Sequence, residues 1–219
     1  MPRLVLAAAL ALGLPALALA LPAAPTSPLA SGAPVSASAA TTLLAAVADA
    51  APARIEISAQ SFKCLTEMTP VRGFFVDNLA GNLAGTLAVA KNPKGGVYPP
   101  GSVVQLVPTE VMVKREPGFS PVTKDWEFFE LDVSAKGSHI RQRGFAEVNN
   151  RFDKNCFACH LAAKPEFDMI CEQDHGCEKL PIPRYVIHSL QVTDPRCAVR
   201  DAGLLQRFTS WTVQKLAPN

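Results

Sequence analysis

The chain has 219 residues, with 21 Lys or Arg against 19 Asp or Glu, so its formal net charge at pH 7 is only +2. This near balance, without a basic stripe, argues against nucleic acid as a partner. Hydrophobic residues make up 48% of the chain, enough for a folded core, yet no segment beyond the N-terminal region is apolar enough to span a bilayer. We therefore expect no nucleic acid partner and no stable membrane anchor.

The N-terminal region has the pattern of an export signal. One arginine, Arg3, precedes an apolar run from Leu4 to Leu21 that ends in small residues. This pattern predicts a signal peptide over residues 1–20, cleaved after Ala20, and a periplasmic or secreted mature protein. An uncleaved membrane anchor is the alternative, and the absence of a basic cluster behind the run disfavours it. The Ala-, Pro- and Ser-rich residues 21–52 predict a disordered leader.

Residues 53–219 predict one domain of the α+β class, mainly an antiparallel β-sheet with packed helices. Turn signals and runs of β-branched or aromatic residues predict strands at 103–107, 110–115, 125–133 and 145–148. Apolar residues at helical spacing predict a C-terminal helix over 201–216. A second helix is predicted over 151–163, with Asn149 or Asn150 as its N-cap.

The predicted second helix contains the sequence CFACH at residues 156–160, which has the C-x-x-C-H pattern of c-type haem attachment. Two thiols three residues apart on a helix face the same side, so both can form thioethers with one porphyrin. The adjacent histidine then supplies an axial ligand to the iron. We predict one covalent haem c, with thioethers at Cys156 and Cys159 and His160 as the axial iron ligand.

The other cysteines are Cys64, Cys171, Cys177 and Cys197. An even number of remaining thiols in an exported chain predicts two disulfides, for which three connectivities exist. The short polar loop between Cys171 and Cys177 favours a local pair, which leaves Cys64 with Cys197. A zinc site is the less favoured alternative, because exported thiols are usually oxidised. Its ligands would come from Cys156, Cys159, His160, His175 and Cys177.

The late position of the motif bears on the class of cytochrome. Small helical electron carriers usually have the motif near the mature N-terminus and a methionine ligand far downstream. Here the one later methionine, Met169, lies too close to His160 to reach the opposite haem face comfortably. Other candidates for the sixth iron ligand are Met68, Met112, His175 and His188.

Several blocks of the sequence resemble the cytochrome P-460 family, which includes the β-sheet cytochromes c-prime. They are YPPGSVV at 98–104, DWEFF at 125–129, CFACH at 156–160 and DMI at 168–170, with RGFFVD at 72–77 similar to the strand before them. The resemblance covers roughly residues 70 to 172. It implies an antiparallel sheet with one covalent haem, often in a homodimer. It also implies an iron with one histidine ligand and an open distal side.

The resemblance also implies a site and two activities. Members oxidise hydroxylamine or bind nitric oxide and related small ligands. The hydroxylamine-oxidising members carry a lysine cross-linked to the porphyrin, at a position where alignment places Leu106, with Lys114 further along the chain. A leucine there is similar to the ligand-binding branch. Arg72 matches a position on the distal side, where a cation would stabilise a bound anion, and a solvated surface arginine is the alternative. Phe75 is a candidate for the same side: an aromatic ring from Phe74, Phe75, Phe128 or Phe129 would shield the iron, with a plain core role as the alternative.

Three functions follow from these observations. The preferred one is an exported mono-haem c-type cytochrome that binds nitric oxide or a similar small ligand at an open distal haem site. The first alternative is a haem oxidoreductase acting on hydroxylamine or peroxide, and the second is a periplasmic electron carrier. A redox partner protein is expected in addition. Glu127 and Glu130 are expected at the surface, with proton transfer as their alternative role.

Overall fold

A six-stranded antiparallel sheet forms the centre of the protein. The computed structural model describes residues 54–172, 174–198 and 202–217. The strands lie in the sheet in sequence order, each antiparallel to the next. Their bounds are Thr69–Val71 (β1), Phe74–Asn78 (β2), Ser102–Val107 (β3), Glu110–Lys114 (β4), Trp126–Ser134 (β5) and Gly137–Gly144 (β6). The described residues therefore form the expected antiparallel sheet.

Helices accompany the sheet, so the fold is α+β. In the part of the chain that the structure describes, the α-helices are Leu83–Ala90 (α1), Cys156–His160 (α2), Arg184–Val192 (α3) and Leu204–Leu216 (α4). Short 3-10 turns cover Ala59–Ser61, Leu65–Glu67, Pro121–Thr123 and Pro165–Phe167. None of these helices is long and apolar enough to cross a membrane.

The sheet packs an apolar cluster against each of its faces, because successive side chains of a strand point to opposite sides. One cluster contains Val104, Met112 and Phe128 and packs against Cys156 and Phe157 of α2. The other contains Phe62, Val113 and Phe129, among others. We call the side of the sheet that packs against Cys156 and Phe157 the motif face, and the other side the opposite face.

Three of the four predicted strands are confirmed within two residues, as β3, β4 and β5. The prediction at 145–148 is wrong, since this stretch is a loop and the last strand is β6. In β6 only Ile140 is a large apolar residue, and between the terminal glycines the other side chains are polar and half-buried or exposed. The alternation that predicts a half-buried strand is therefore missing from its sequence.

The predicted helix over 151–163 is shorter than expected. It begins at Cys156 as α2, because Asp153 has a left-handed backbone (φ 55°) that a helix cannot include. Its N-cap is Asn155, whose side chain accepts from the Ala158 N–H, and not Asn149 or Asn150. The C-terminal helix is confirmed as α4, whereas α1 and α3 were not predicted.

Two disulfides are present, Cys64–Cys197 and Cys171–Cys177, the pairs that the loop lengths favoured. Asp194 strengthens the first connection, since it accepts from the Leu65 N–H at 3.0 Å and pairs with Arg196 at 2.7 Å. Disulfides are typical of oxidising compartments outside the cytoplasm. The predicted signal peptide and leader, residues 1–52, lie outside the described residues.

Removing the Cys64–Cys197 disulfide is expected to destabilise the protein more than removing Cys171–Cys177. Replacing Cys64 and Cys197 by alanine should lower the free energy of unfolding by about 4–5 kcal/mol, because their sequence separation of 133 closes a long loop in the unfolded chain. The matched double replacement of Cys171 and Cys177, separated by 6, should cost about 2 kcal/mol. Urea unfolding measures both, and equal losses would contradict the loop-entropy argument.

Candidate functional site

A short loop positions the C-x-x-C-H motif on the sheet. The backbone of Asn149 bridges to that of Asn155, and the Cys156 N–H donates to the Val148 carbonyl at 3.0 Å. The Asn155 side chain accepts from the Ala158 N–H at 2.8 Å and donates to the loop behind it. This asparagine therefore caps α2 and joins it to the loop.

Among the six cysteines, those of the motif are the two that carry free thiols. Cys156 is half-buried and Cys159 is exposed, and they lie about one helical turn apart on α2. Burial raises the pKa of the Cys156 thiol to about 12, and the nearby carboxylates of Glu110 and Glu130 add to the effect. Cys156 is therefore an uncharged thiol next to the apolar motif face.

The imidazole of His160 is held in one tautomer. Its Nδ1 lies 2.7 Å from the Met169 carbonyl oxygen, which can only accept, so Nδ1 carries the proton and Nε2 keeps a free lone pair. Burial lowers the pKa of His160 below its ordinary value, which keeps the ring neutral near pH 7. The Phe128 ring packs against it, with the centroids 5.6 Å apart. A neutral imidazole with an available Nε2 is the form that binds a metal.

These residues fit a covalent haem c. Two free thiols are spaced for one porphyrin edge, the adjacent histidine has the correct tautomer for an axial ligand, and the surrounding motif face is apolar. The ligands of the alternative zinc site are not brought together. Cys177 is in a disulfide, and His175 Nδ1 is hydrogen-bonded to the Ile170 carbonyl at 2.9 Å. Within the described ranges, the one cluster of three metal-ligand side chains contains a disulfide, and its members are Cys64, Asp194 and Cys197.

Arg72 and Phe75, the residues predicted for the distal side of the haem, have separate surroundings in the structure. Arg72 lies in the β1–β2 turn, where its Nε donates to Glu172 at 2.7 Å and its Nη2 donates to the Ala90 carbonyl at 2.6 Å. Its charge is therefore balanced by a carboxylate of the same chain. Phe75 packs on the opposite face, away from the motif, whereas its neighbour Phe74 packs on the motif face. Adjacent strand residues alternate between faces, so Phe74 and Phe75 pack on opposite sides of the sheet.

The expectation that Glu127 and Glu130 lie at the surface is wrong. Their relative exposures are 3% and 1%. Glu127 lies on the opposite face and forms ion pairs with Arg115 and Arg143. Glu130 lies on the motif face and accepts from Arg151 Nε at 2.7 Å.

Glu110 and Glu130 form a carboxylate pair next to the motif. They are direct cross-strand partners in β4 and β5, and Glu110 accepts from the Asn150 side chain at 3.0 Å. The second oxygen of Glu130, Oε2, is buried without a hydrogen-bond partner. Burial raises the pKa of Glu130 to about 7 against the opposing effect of Arg151, and burial also raises the pKa of Glu110. Sequence reasoning missed this pair, since it depends on the register between the strands.

Comparisons of the chain with protein-family models, with curated proteins and with solved structures found no match. The resemblance to the cytochrome P-460 family therefore stays a prediction from its sequence blocks.

Glu130→Gln is expected to change how stability depends on pH. The folded pKa of about 7 exceeds the ordinary value of 4.5, so between these values the folded protein binds more protons than the unfolded chain, and stability falls as pH rises. Glutamine removes this loss, so the variant should gain on the order of 1–3 kcal/mol over the parent between about pH 4.5 and pH 8. Urea unfolding at several pH values measures the difference. The exposed Glu67→Gln is the control, and parallel curves for parent and Glu130→Gln would contradict the argument.

Proposed function

We propose that the chain is an exported mono-haem c-type cytochrome that binds nitric oxide or a similar small ligand at an open distal haem site. The observation that carries this proposal is the hydrogen bond between His160 Nδ1 and the Met169 carbonyl, which leaves Nε2 available beside two free thiols. Bound haem would supply the iron at which the ligand coordinates. Cys156 and Cys159 would hold the porphyrin, and His160 would ligate the iron from one side.

An open distal side is supported by the positions of the candidate sixth ligands. The backbone of Met169 lies against Nδ1 of His160, so it is on the side of the ring that faces away from Nε2. His175 is stacked on Phe167 with the ring centroids 3.6 Å apart, and His188 is exposed on α3. Met68 packs in the cluster of the opposite face. Met112 and Met169 both pack on the motif face, but the backbone of Met169 contacts His160. Met112 is therefore the methionine that remains as a candidate.

The chemistry of the motif face favours a neutral ligand. Apart from the carboxyl pair Glu110 and Glu130, the side chains of its core cluster are apolar, including Leu106, Met112 and Phe128. The cation of Arg72 is already paired with Glu172. An ion buried there without a partner would lose several kcal/mol of hydration free energy, whereas a neutral diatomic molecule would lose little. A small uncharged molecule such as nitric oxide suits these surroundings.

The oxidoreductase alternative has one observation in its favour and one against. The buried pair Glu110 and Glu130 provides carboxyl groups for proton transfer beside Cys156. Lys114, however, is unsuited to a porphyrin cross-link, because its Nζ is buried and donates to Asp168 and to the Lys124 carbonyl. Leu106, at the aligned position, has no nucleophilic group. We therefore rank this activity second.

Optical spectra of the ferrous protein test the proposal. We expect a five-coordinate spectrum that shifts when nitric oxide or carbon monoxide is added, because His160 would be the single protein ligand to the iron. A six-coordinate spectrum that does not respond to either gas would exclude the binder and leave the electron carrier. An absorbance strongly red-shifted from ordinary c-type haem would indicate a porphyrin cross-link and favour hydroxylamine oxidation.

Met112→Leu tests separately whether the distal position is open. The change conserves volume and removes the thioether, so the ferrous spectrum and carbon monoxide binding should stay as in the parent, with a stability loss below about 1.5 kcal/mol. Met68→Leu, buried on the opposite face, is the matched control. If only Met112→Leu converts a six-coordinate spectrum to a five-coordinate one, Met112 is the sixth ligand and the carrier function is supported instead.

A further inference from the structure

We propose that the buried ion pair between Lys114 and Asp168 is a positioning unit for His160, because it holds the Met169 carbonyl that orients the imidazole and raises its donor strength. This inference rests on the proposed function, since donor strength has meaning only toward a bound haem iron. Neither residue of the pair belongs to the C-x-x-C-H motif. Both act through the backbone that follows it.

The ion pair is enclosed by the fold. Lys114 Nζ lies 2.9 Å from Oδ1 and 2.8 Å from Oδ2 of Asp168, and the side chains are 6% and 3% exposed. The same Nζ donates to the Lys124 carbonyl at 2.7 Å and lies 5.1 Å from the centroid of the Trp126 ring. Removal of one partner would leave the other charge buried and unpaired, which is costly. The ion pair between Lys114 and Asp168 is therefore held in one conformation.

Asp168 is bonded to three separate elements of the fold. Lys114 at the end of β4 pairs with its carboxylate, and the Tyr98 N–H donates to Oδ2 at 2.9 Å. The indole Nε1 of Trp126, at the start of β5, donates to the Asp168 carbonyl at 2.7 Å. These contacts fix both the side chain and the backbone of one residue against the sheet.

The fixed backbone at Asp168 directs the next carbonyl toward His160. Asp168 and Met169 both have left-handed backbones, with φ of 49° and 67°. For residues other than glycine this conformation costs about 1–2 kcal/mol each, so it needs stabilising contacts. The Ile170 N–H closes the turn by donating to the Phe167 carbonyl at 2.9 Å, and the Met169 carbonyl then accepts from His160 Nδ1. Contacts at Asp168 thus determine the position of the acceptor.

The hydrogen bond at Nδ1 changes what Nε2 can do. An acceptor at Nδ1–H increases the electron density of the ring, so Nε2 becomes a stronger donor to a metal. A stronger donor stabilises ferric iron relative to ferrous iron and shortens the iron–histidine bond. Loss of the Lys114–Asp168 pair should therefore weaken this bond while leaving the thioethers in place.

Asp168→Asn tests the inference in the full haem-loaded chain. We expect a lower iron–histidine stretching frequency in resonance Raman spectra and a more positive midpoint potential than in the parent. Lys114→Arg keeps the cation and should lie between Asp168→Asn and the parent. Asp194→Asn is the matched control, since it breaks an equally buried ion pair, with Arg196, that does not contact the His160 loop. Parental values in Asp168→Asn would overturn the inference.

A second measurement separates this inference from the proposed function. In the full chain purified without haem, ¹⁵N NMR should show the His160 ring as the Nδ1–H tautomer, and Asp168→Asn should give a mixture of tautomers. If the parent incorporates no haem, the proposed function fails but this measurement still tests the positioning role. An unchanged tautomer in Asp168→Asn overturns that role. Should this variant not fold, Trp126→Phe removes the indole donor to the Asp168 carbonyl, together with part of the ring that packs against Lys114 and Tyr98, and is expected to give the same mixture.

Discussion

The hydrogen bond from His160 Nδ1 to the Met169 carbonyl is the interaction on which the candidate site depends. It determines which imidazole nitrogen is free, and it joins the motif helix to the loop that follows it. That loop is in turn fixed by the buried Asp168 and by the Cys171–Cys177 disulfide. A short helix of five residues could not hold a ring orientation by itself, because isolated helices of this length are unstable. Helix α2 is therefore held in place by the contacts of the loops before and after it.

The sheet provides these contacts through both ends of the motif. Glu110 and Glu130 bond to Asn150 and Arg151 in the loop before α2, whereas Lys114 and Trp126 bond to Asp168 in the loop after it. All four sheet residues lie on β4 and β5. These two neighbouring strands therefore place Met112 and Phe128 between the carboxyl pair Glu110 and Glu130 on one side and Lys114 and Trp126 on the other. This arrangement leaves an apolar surface under the motif and keeps charged groups at its borders.

Sequence reasoning predicted the elements with strong local patterns and missed those that depend on packing. The strands predicted from the β-branched run at β3 and the aromatic run at β5 were confirmed. A strand that is buried on one or both faces needs apolar residues at regular positions, and such a pattern is visible in the sequence. The polar strand β6 has no such pattern, since it pairs with β5 at the edge of the sheet. A sequence does not say which sheet face a strand position occupies, so it could not tell that Phe74 packs on the motif face and Phe75 on the opposite face.

By itself, the sequence determined the candidate cofactor chemistry: the spacing of Cys156, Cys159 and His160 is local and needs no fold to be read. The loop lengths between the other cysteines likewise favoured the disulfide pairs that the structure contains. Only the tertiary structure decided which nitrogen of His160 is free and which charges are buried beside the motif. Those properties arise from contacts such as Lys114 with Asp168, separated by 54 residues, and from strand register. Neither long-range pairing nor register can be read from the order of residues alone.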